Sequence, residues 1–253
     1  PLEEKMALFW HGHFATNEEK VRDYRKLLQQ NAVFREYGTG NFKELLTQVS
    51  QDPAMLDFLD AGVNIKGSPN ENFAREIMEL FTMGVGNYTE QDIREGARAF
   101  TGWNHRDLKF VLNADQHDSS QKTFLDKTGN WDGLDIIDMI LEKPVTAEYI
   151  SGKIYKFFVR ENIDPALQEE LASFFYNSEY EITPLLEKIF LSQDFYSSAS
   201  MGTHIKSPTD LVVSTYKKLG LNVLPGVPDF HDTTQSLGQT LLFPPTVAGW
   251  AGG

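Results

Sequence analysis

His11 and His13, separated by a single glycine, are the first residues along the chain whose types and spacing could do chemistry. Histidine side chains bind metal ions and carry protons near neutral pH. On a helix, residues two apart point about 200° away from each other, so both rings could reach one metal only if Gly12 loosened the helix end. Near a helix C-terminus they could instead complement the helix dipole or hydrogen-bond the last carbonyl groups. The spacing favours this structural role and leaves metal binding or acid–base chemistry as the alternative.

Two carboxylates and an amide lie along one side of the segment that follows Asn70. At about 100° per residue, the side chains of Asn72, Glu76 and Glu79 fall within about 60° of one another. Glu76 borders the apolar face, where burial would raise its pKa and suit it to general acid–base catalysis. The alternative is a solvated helix face that carries an ordinary Arg75–Glu79 ion pair. The predicted catalytic residues are Glu76, His13 and Glu79.

A long polar segment, Gly102–Asn130, carries further residues with ligand chemistry. Structureless loops of this length are uncommon inside compact domains and often functional. His and Asp side chains gathered from separated segments are what a metal site without cysteine needs. The favoured interpretation is a β-hairpin flap whose Asn and Asp serve as turn residues, with a site beneath it as the alternative. The predicted ligands for a divalent metal are His11, His13, His117 and Asp118, and the predicted substrate-binding residues are Trp103, Asn72 and Lys122.

Four tryptophans could contribute aromatic platforms for sugars, with carboxylates nearby for glycoside hydrolysis. Most tryptophans are largely buried, and Trp10 lies within a helical apolar pattern, so Trp10 is predicted to be a core residue. Trp250 follows Phe243-Pro244-Pro245, a rigid segment that is predicted to close over the helices rather than to bind ligand.

The elements that must position these residues are predicted to be mainly helices, because start and stop signals recur along the chain. Apolar residues keep helical spacing from Asn17 to Gly38, and Thr89 with Asp92 resembles a capping box. The segment Gly102–Asn130 is the exception and is predicted to contain one small β-hairpin. The predicted fold is mainly α, with residues 1–253 in a single multi-helix domain. Further helices are predicted at Glu3–Phe14, Asp132–Leu141, Thr146–Val159, Pro165–Tyr176, Pro184–Leu191, Pro208–Leu219 and Asp229–Leu241.

The composition restricts the classes of function. The 253 residues include 36 acidic and 23 basic side chains, and the net charge of −13 disfavours nucleic-acid binding. The absence of cysteine excludes thiol catalysis and thiolate metal sites. No run approaches eighteen apolar residues, so no membrane span is predicted. Phosphate-loop, Gly-x-Ser-x-Gly and His-Glu-x-x-His motifs are missing, so nucleotide hydrolysis and nucleophilic serine catalysis gain no support.

Several segments together resemble a large bacterial family catalogued as domain of unknown function 1800. The resemblance implies a helical bacterial protein that is commonly exported, hence secreted or periplasmic, and often encoded beside sulfatase-like exported proteins. It supplies no reaction and no catalytic residues. Members usually continue at both ends, and the chain starts without Met, so we expect a fragment that lacks both termini. The segments that carry the resemblance are Met6–Phe14, Pro69–Phe81, Gly86–Glu90, Ala97–Trp103, His117-Asp118, Lys122–Leu125, Gly238-Gln239 and Phe243–Trp250.

Two functions follow as hypotheses. The first is an exported hydrolase that acts on a polymeric or glycan-like substrate through His and carboxylate groups, with a divalent metal as an optional cofactor. This hypothesis expects the site where the flap meets the first helix and the Asn72–Glu79 helix. The second is a non-catalytic helical scaffold that binds a polysaccharide or a partner protein, such as the sulfatase-like protein. A solvent-reachable cluster of histidines and Glu76 would favour the enzyme, whereas a closed internal network would favour the scaffold.

Overall fold

The computed structural model describes residues 2–223 and 225–250. The described part is mainly α-helical with two small antiparallel sheets, which confirms the predicted fold class. Pro1 and Gly252-Gly253, on which the fragment prediction partly rests, lie outside the described residues. The helices are α1 Leu2–His13, α2 Glu18–Val21, α3 Tyr24–Tyr37, α4 Phe42–Ser50, α5 Pro53–Phe58, α6 Asn72–Glu79, α7 Glu90–Ala99, α8 Gly133–Leu141, α9 Pro144–Phe158, α10 Pro165–Asn177, α11 Ile182–Phe190, α12 Pro208–Lys218 and α13 Phe230–Ser236.

Side-chain caps explain where many of these helices begin. The Thr89 hydroxyl accepts a hydrogen bond from Asp92 N, and the Asp92 carboxylate accepts one from Thr89 N, which completes the capping box that opens α7. The Asn41 side chain accepts from two backbone amides at the start of α4. Each such cap stabilises a helix by about 1 kcal/mol, because it satisfies amides that have no partner within the helix.

The helix predicted between Asn17 and Gly38 is interrupted, which corrects the sequence-based expectation. Arg22 adopts a left-handed conformation with φ of 54°, and this ends α2. Asp23 then caps α3 by accepting a hydrogen bond from Arg25 N. The apolar spacing continues across this break, so hydrophobic periodicity alone did not reveal it.

The polar segment Gly102–Asn130 contains two hairpins rather than one. Strand β1, Trp103–Arg106, pairs with β2, Lys109–Leu112, and strand β3, Lys122–Phe124, pairs with β4, Lys127–Gly129. The short apolar runs Lys109–Leu112 and Thr123–Leu125 therefore contribute to different sheets. Strand β1 packs against α5, and β3 packs against α7.

The main hydrophobic core surrounds α1. Trp10 and Phe14 are fully buried, as predicted for Trp10, and Trp10 stacks with Phe14 and Phe42. The Trp10 indole also donates a hydrogen bond to Gly38 O at 2.8 Å, which satisfies its only polar atom. This anchoring fixes the C-terminal end of α1, where His11 and His13 lie.

No helix in the described part of the chain is both long enough and apolar enough to cross a membrane.

Candidate functional site

A cavity of about 440 Å³ lies between α1, α9 and the segment that ends the described chain. We call residues 239–250 the C-terminal strap. Phe9 of α1, Phe157 of α9 and Trp250 of the strap form aromatic parts of the wall, and His13 and Lys153 contribute polar groups to it. Cavities of about 300–1,000 Å³ with a mostly apolar wall and a few convergent polar groups are typical of small-molecule sites.

His13 lies at the end of α1 with both ring nitrogens occupied. Its Nε2 is 3.1 Å from Phe81 O, and because a carbonyl oxygen only accepts, Nε2 carries the proton. Its Nδ1 then presents a lone pair to Lys153 Nζ, which lies at 3.1 Å. Burial lowers the pKa of His13 well below its usual value, and the charge of Lys153 adds to this effect. His13 is therefore a neutral hydrogen-bond acceptor at neutral pH.

Lys153 is half-buried on α9 and donates to His13 Nδ1. A second, longer contact of 3.5 Å joins its Nζ to Leu80 O. The ammonium lies 4.8 Å from the centre of the Tyr149 ring. Burial lowers the pKa of Lys153 to about 8, because moving a cation out of water disfavours its charged form. Within residues 2–223 and 225–250, no carboxylate forms an ion pair with Lys153.

The charged lining of the cavity differs from the rest of the protein. Lys153 and Lys156 are three residues apart on α9 and both face the cavity. The one carboxylate in the lining, Glu161, is largely exposed and pairs with Lys156 at 3.2 Å. The lining therefore offers more positive than negative charge in a protein whose net charge is −13.

His11 does not line the cavity but holds the strap in place. Its Nε2 accepts a hydrogen bond from Leu242 N at 3.1 Å, so this nitrogen must be unprotonated. Burial lowers the pKa of His11 to about 4, which keeps the ring in the accepting form. The Trp250 ring lies 5.3 Å from the His11 ring, centre to centre. His11 thus positions the part of the strap that supplies Trp250 to the cavity wall.

Two further hydrogen bonds and one close approach join the strap to the N-terminal part of the chain. Glu18 N donates to Leu242 O at 2.9 Å, and the Asn17 amide donates to Pro244 O at 3.1 Å. Gly249 has φ of 80°, and a Cβ at this position would lie 2.3 Å from Gly12 O. Glycine is therefore required where the strap crosses the end of α1.

The four predicted metal ligands do not come together. His11 and His13 bind Leu242 N and Phe81 O, respectively. His117 Nδ1 contacts Thr101 O at 2.9 Å. Asp118 pairs with Arg98 at 2.8 Å. Among the described residues, no group of three or more His, Asp or Glu side chains is placed to hold a metal ion. The structure therefore does not bring these four residues together at one site, and each makes a separate contact.

The predicted carboxylates lie on α6, outside the cavity lining. Glu79 accepts a hydrogen bond from the Tyr88 hydroxyl at 2.5 Å. Glu76 is half-buried, and its pKa is raised by burial and by the nearby charge of Glu79. The ordinary Arg75–Glu79 pair does not form, since Arg75 pairs with Glu90 at 2.9 Å instead. A raised pKa for Glu76 matches the sequence-based expectation, and its catalytic role stays a prediction.

The predicted substrate-binding residues have structural partners. Trp103 is only 3% exposed and packs in the core beside Phe73 and Phe100. Lys122 is 1% exposed and donates to two backbone carbonyls of its own loop. The half-buried Asn72 donates its side-chain amide to Leu59 O at 3.3 Å. The polar segment that carries the first two packs against α5 and α7 and does not cover the cavity, so the expected flap over the site is not formed.

Sequence reasoning missed Lys153, Lys156 and the strap as parts of the site. One signal was available, because Lys153 is the only charged residue between Tyr149 and Tyr155 on a helix whose neighbours are apolar or small. Nothing in the spacing could show that residues 239–250 return to α1, since their contacts join segments at opposite ends of the described chain.

The family model described as "Protein of unknown function (DUF1800)" matches residues 1–253. The chain belongs to this family. No curated protein and no solved structure matches it. In this DUF1800 chain, three of the segments that carry the resemblance contribute residues to the cavity wall. They are Met6–Phe14, Gly238-Gln239 and Phe243–Trp250.

Proposed function

We propose that the chain is an exported bacterial binding protein whose cavity holds a saccharide unit that bears a carboxylate or sulfate group. The observation that carries this proposal is the presence of Lys153, without an ion-pair partner among the described residues, in an aromatic-walled cavity of about 440 Å³. A ligand anion would supply the missing counter-charge in a partly desolvated place, where charge-assisted hydrogen bonds are strongest.

The wall of the cavity suits a sugar. Trp250, Phe9 and Phe157 offer apolar surfaces that can pack against the C–H faces of a pyranose ring. Gln239 and the Ser207 segment add polar groups to the lining. Lys156 adds a second cation that is tied only by an exposed ion pair, and such pairs contribute about 0–1 kcal/mol, so a ligand anion can replace Glu161.

Export and a partner belong to the same proposal. The family resemblance supports secretion or a periplasmic location, and it supports a sulfatase-like exported protein as a partner. A partner of that kind would act on sulfated polymers, which carry the type of anionic group that the lining of the cavity favours.

Titration calorimetry with acidic oligosaccharides tests the binding proposal. We expect oligosaccharides with glucuronate or sulfate groups to bind, and neutral oligosaccharides of the same length to bind much more weakly. Replacing Lys153 by Gln removes the central cation and is expected to weaken binding by roughly tenfold or more, since hydrogen bonds to charged groups contribute about 1.5–3 kcal/mol. Lys43→Gln is the matched control, because Lys43 is exposed and pairs with Asp138 away from the cavity. Equal affinity of Lys153→Gln and the unmodified protein would contradict the proposal.

A hydrolase is the second candidate, and the contact between His13 and Lys153 is the observation that favours it. A lysine with a pKa of about 8, held by a neutral imidazole 3.1 Å away, is partly unprotonated near neutral pH and can serve as a general base. The described lining holds one carboxylate, Glu161, whereas glycoside hydrolysis by the common mechanism uses two. Release of new reducing ends from an acidic polysaccharide, lost in Lys153→Met, would favour the hydrolase over simple binding.

A further inference from the structure

The Lys153 amine combines three features that are found together at reactive lysines. It lines a cavity, it is partly removed from water, and its nitrogen contacts a neutral hydrogen-bond acceptor rather than a carboxylate. Lysines in such surroundings serve as amine nucleophiles, because an unprotonated amine has a free electron pair. Lys122 is also desolvated, but it does not line the cavity. It is only 1% exposed and bound to backbone carbonyls.

We propose that Lys153 captures the carbonyl carbon of a ligand in the cavity as an imine, and that the ligand is an aldehyde or ketone that also bears an anionic group. The open-chain end of an acidic saccharide is such a compound, so this proposal rests on the proposed binding function. It goes beyond that function because it assigns a covalent step to one nitrogen atom.

The hydrogen bonds of Lys153 Nζ prepare the nitrogen for attack. The amine donates to His13 Nδ1 at 3.1 Å and makes a longer contact with Leu80 O at 3.5 Å. The proton on His13 Nε2 is held by Phe81 O, so His13 cannot turn a donor towards the amine without losing that bond. With its two N–H bonds engaged in this way, a neutral amine keeps its lone pair free for a ligand. His13 is thus a positioning residue for the attack.

The covalent step balances without an oxidant or a reductant. The neutral amine adds to the carbonyl carbon, the π electrons move to oxygen, and one nitrogen proton passes to that oxygen. The resulting carbinolamine loses its hydroxyl group and the second nitrogen proton as water, which leaves a C=N bond. Lys156, on the same side of α9, would hold the anionic group of the ligand while these bonds form.

Reductive trapping with glyoxylate tests the proposal on the full chain. Glyoxylate carries an aldehyde and a carboxylate, and cyanoborohydride converts its imine with lysine into a stable carboxymethyl group that peptide mass spectrometry locates. At pH 7 about a tenth of an amine with a pKa of about 8 is unprotonated, against about one part in three thousand for an ordinary lysine. We therefore expect Lys153 to be labelled on the order of tenfold or more faster than the mean of the exposed lysines, and Lys122 to stay unlabelled.

Controls separate this proposal from the binding function. Lys153→Arg forms no stable imine, so it should abolish labelling at this position. Binding of acidic methyl glycosides, which have no free carbonyl, is measured on the unmodified protein. Glycolaldehyde, a neutral aldehyde, should label Lys153 more slowly than glyoxylate. Labelling of Lys153 at the rate of exposed lysines would overturn the imine proposal even if methyl glycosides bind. Preferred labelling without any binding of acidic glycosides would instead overturn the saccharide proposal alone.

Discussion

At the scale of single residues, the pairing of Lys153 with neutral His13 makes the chemistry of the cavity dependent on pH. Burial lowers the pKa of Lys153 to about 8, so both the ammonium and the amine are populated near physiological pH. The ammonium binds anions, whereas the amine attacks carbonyl carbon. The two proposed roles of one nitrogen therefore have opposite pH dependence, and the pH dependence distinguishes them.

We expect the affinity for an acidic methyl glycoside to be constant below about pH 8 and to fall by up to tenfold per pH unit above it, because the ammonium loses its proton in that range. The rate of imine trapping should rise over the same range. Calorimetry and peptide mass spectrometry at pH 6.5 to 9.5 measure the two quantities. A decrease in affinity that begins only near pH 10 would show that Lys153 does not hold the anion.

At the scale of elements, the caps that begin the helices can be predicted from the local sequence, whereas the contacts between distant segments cannot. Thr89 and Asp92 identify the start of α7 because they are three residues apart and bond each other reciprocally. The end of α2 at Arg22 was not predicted. Glycine usually marks the left-handed backbone conformation that ends a helix, and here an arginine adopts it. The candidate site was misplaced for a similar reason: His13 was recognised, but its partner Lys153 lies 140 residues away along the chain.

Thr89→Ala should lower the free energy of unfolding by about 1 kcal/mol, because it removes the acceptor for Asp92 N at the start of α7. Urea denaturation followed by circular dichroism measures this change. Thr215→Ala provides the control, since Thr215 is an exposed residue inside α12 that caps no helix, and changes at such positions usually stay within about 0.5 kcal/mol. An equal loss in both variants would mean that the cap adds nothing.

At the scale of the whole molecule, the strap joins the end of the described chain to its beginning. The hydrogen bond from Leu242 N to His11 Nε2 spans 231 residues, and it requires His11 to be neutral. The mainly α fold class followed from helix signals spread along the sequence. Phe243-Pro244-Pro245 predicted that the segment before Trp250 closes over the helices. Its contact with α1 beside a cavity was not predicted, because that contact joins two segments far apart in the sequence.

His11 should make the protein less stable in acid. Its folded-state pKa of about 4 lies below the ordinary value of 6.5, so its contribution is fully present above about pH 6.5 and is lost as the pH falls towards 4. His11→Gln keeps an acceptor for Leu242 N but takes up no proton. We expect the drop in unfolding free energy between pH 7.5 and pH 5 to be about 2 kcal/mol smaller in this variant. The same drop in both proteins, measured by urea denaturation, would show that His11 does not couple the strap to pH.

The strap also determines when the cavity can form during synthesis. The floor of the cavity comes from α1 and α9, which leave the ribosome early and midway, but one wall is Trp250. A chain that has not yet emerged past residue 242 lacks both that wall and the amide that engages His11. Nascent chains can therefore form the helical body before the cavity is complete. Under the proposed binding function, a chain could capture ligand only after the whole described length has been synthesised.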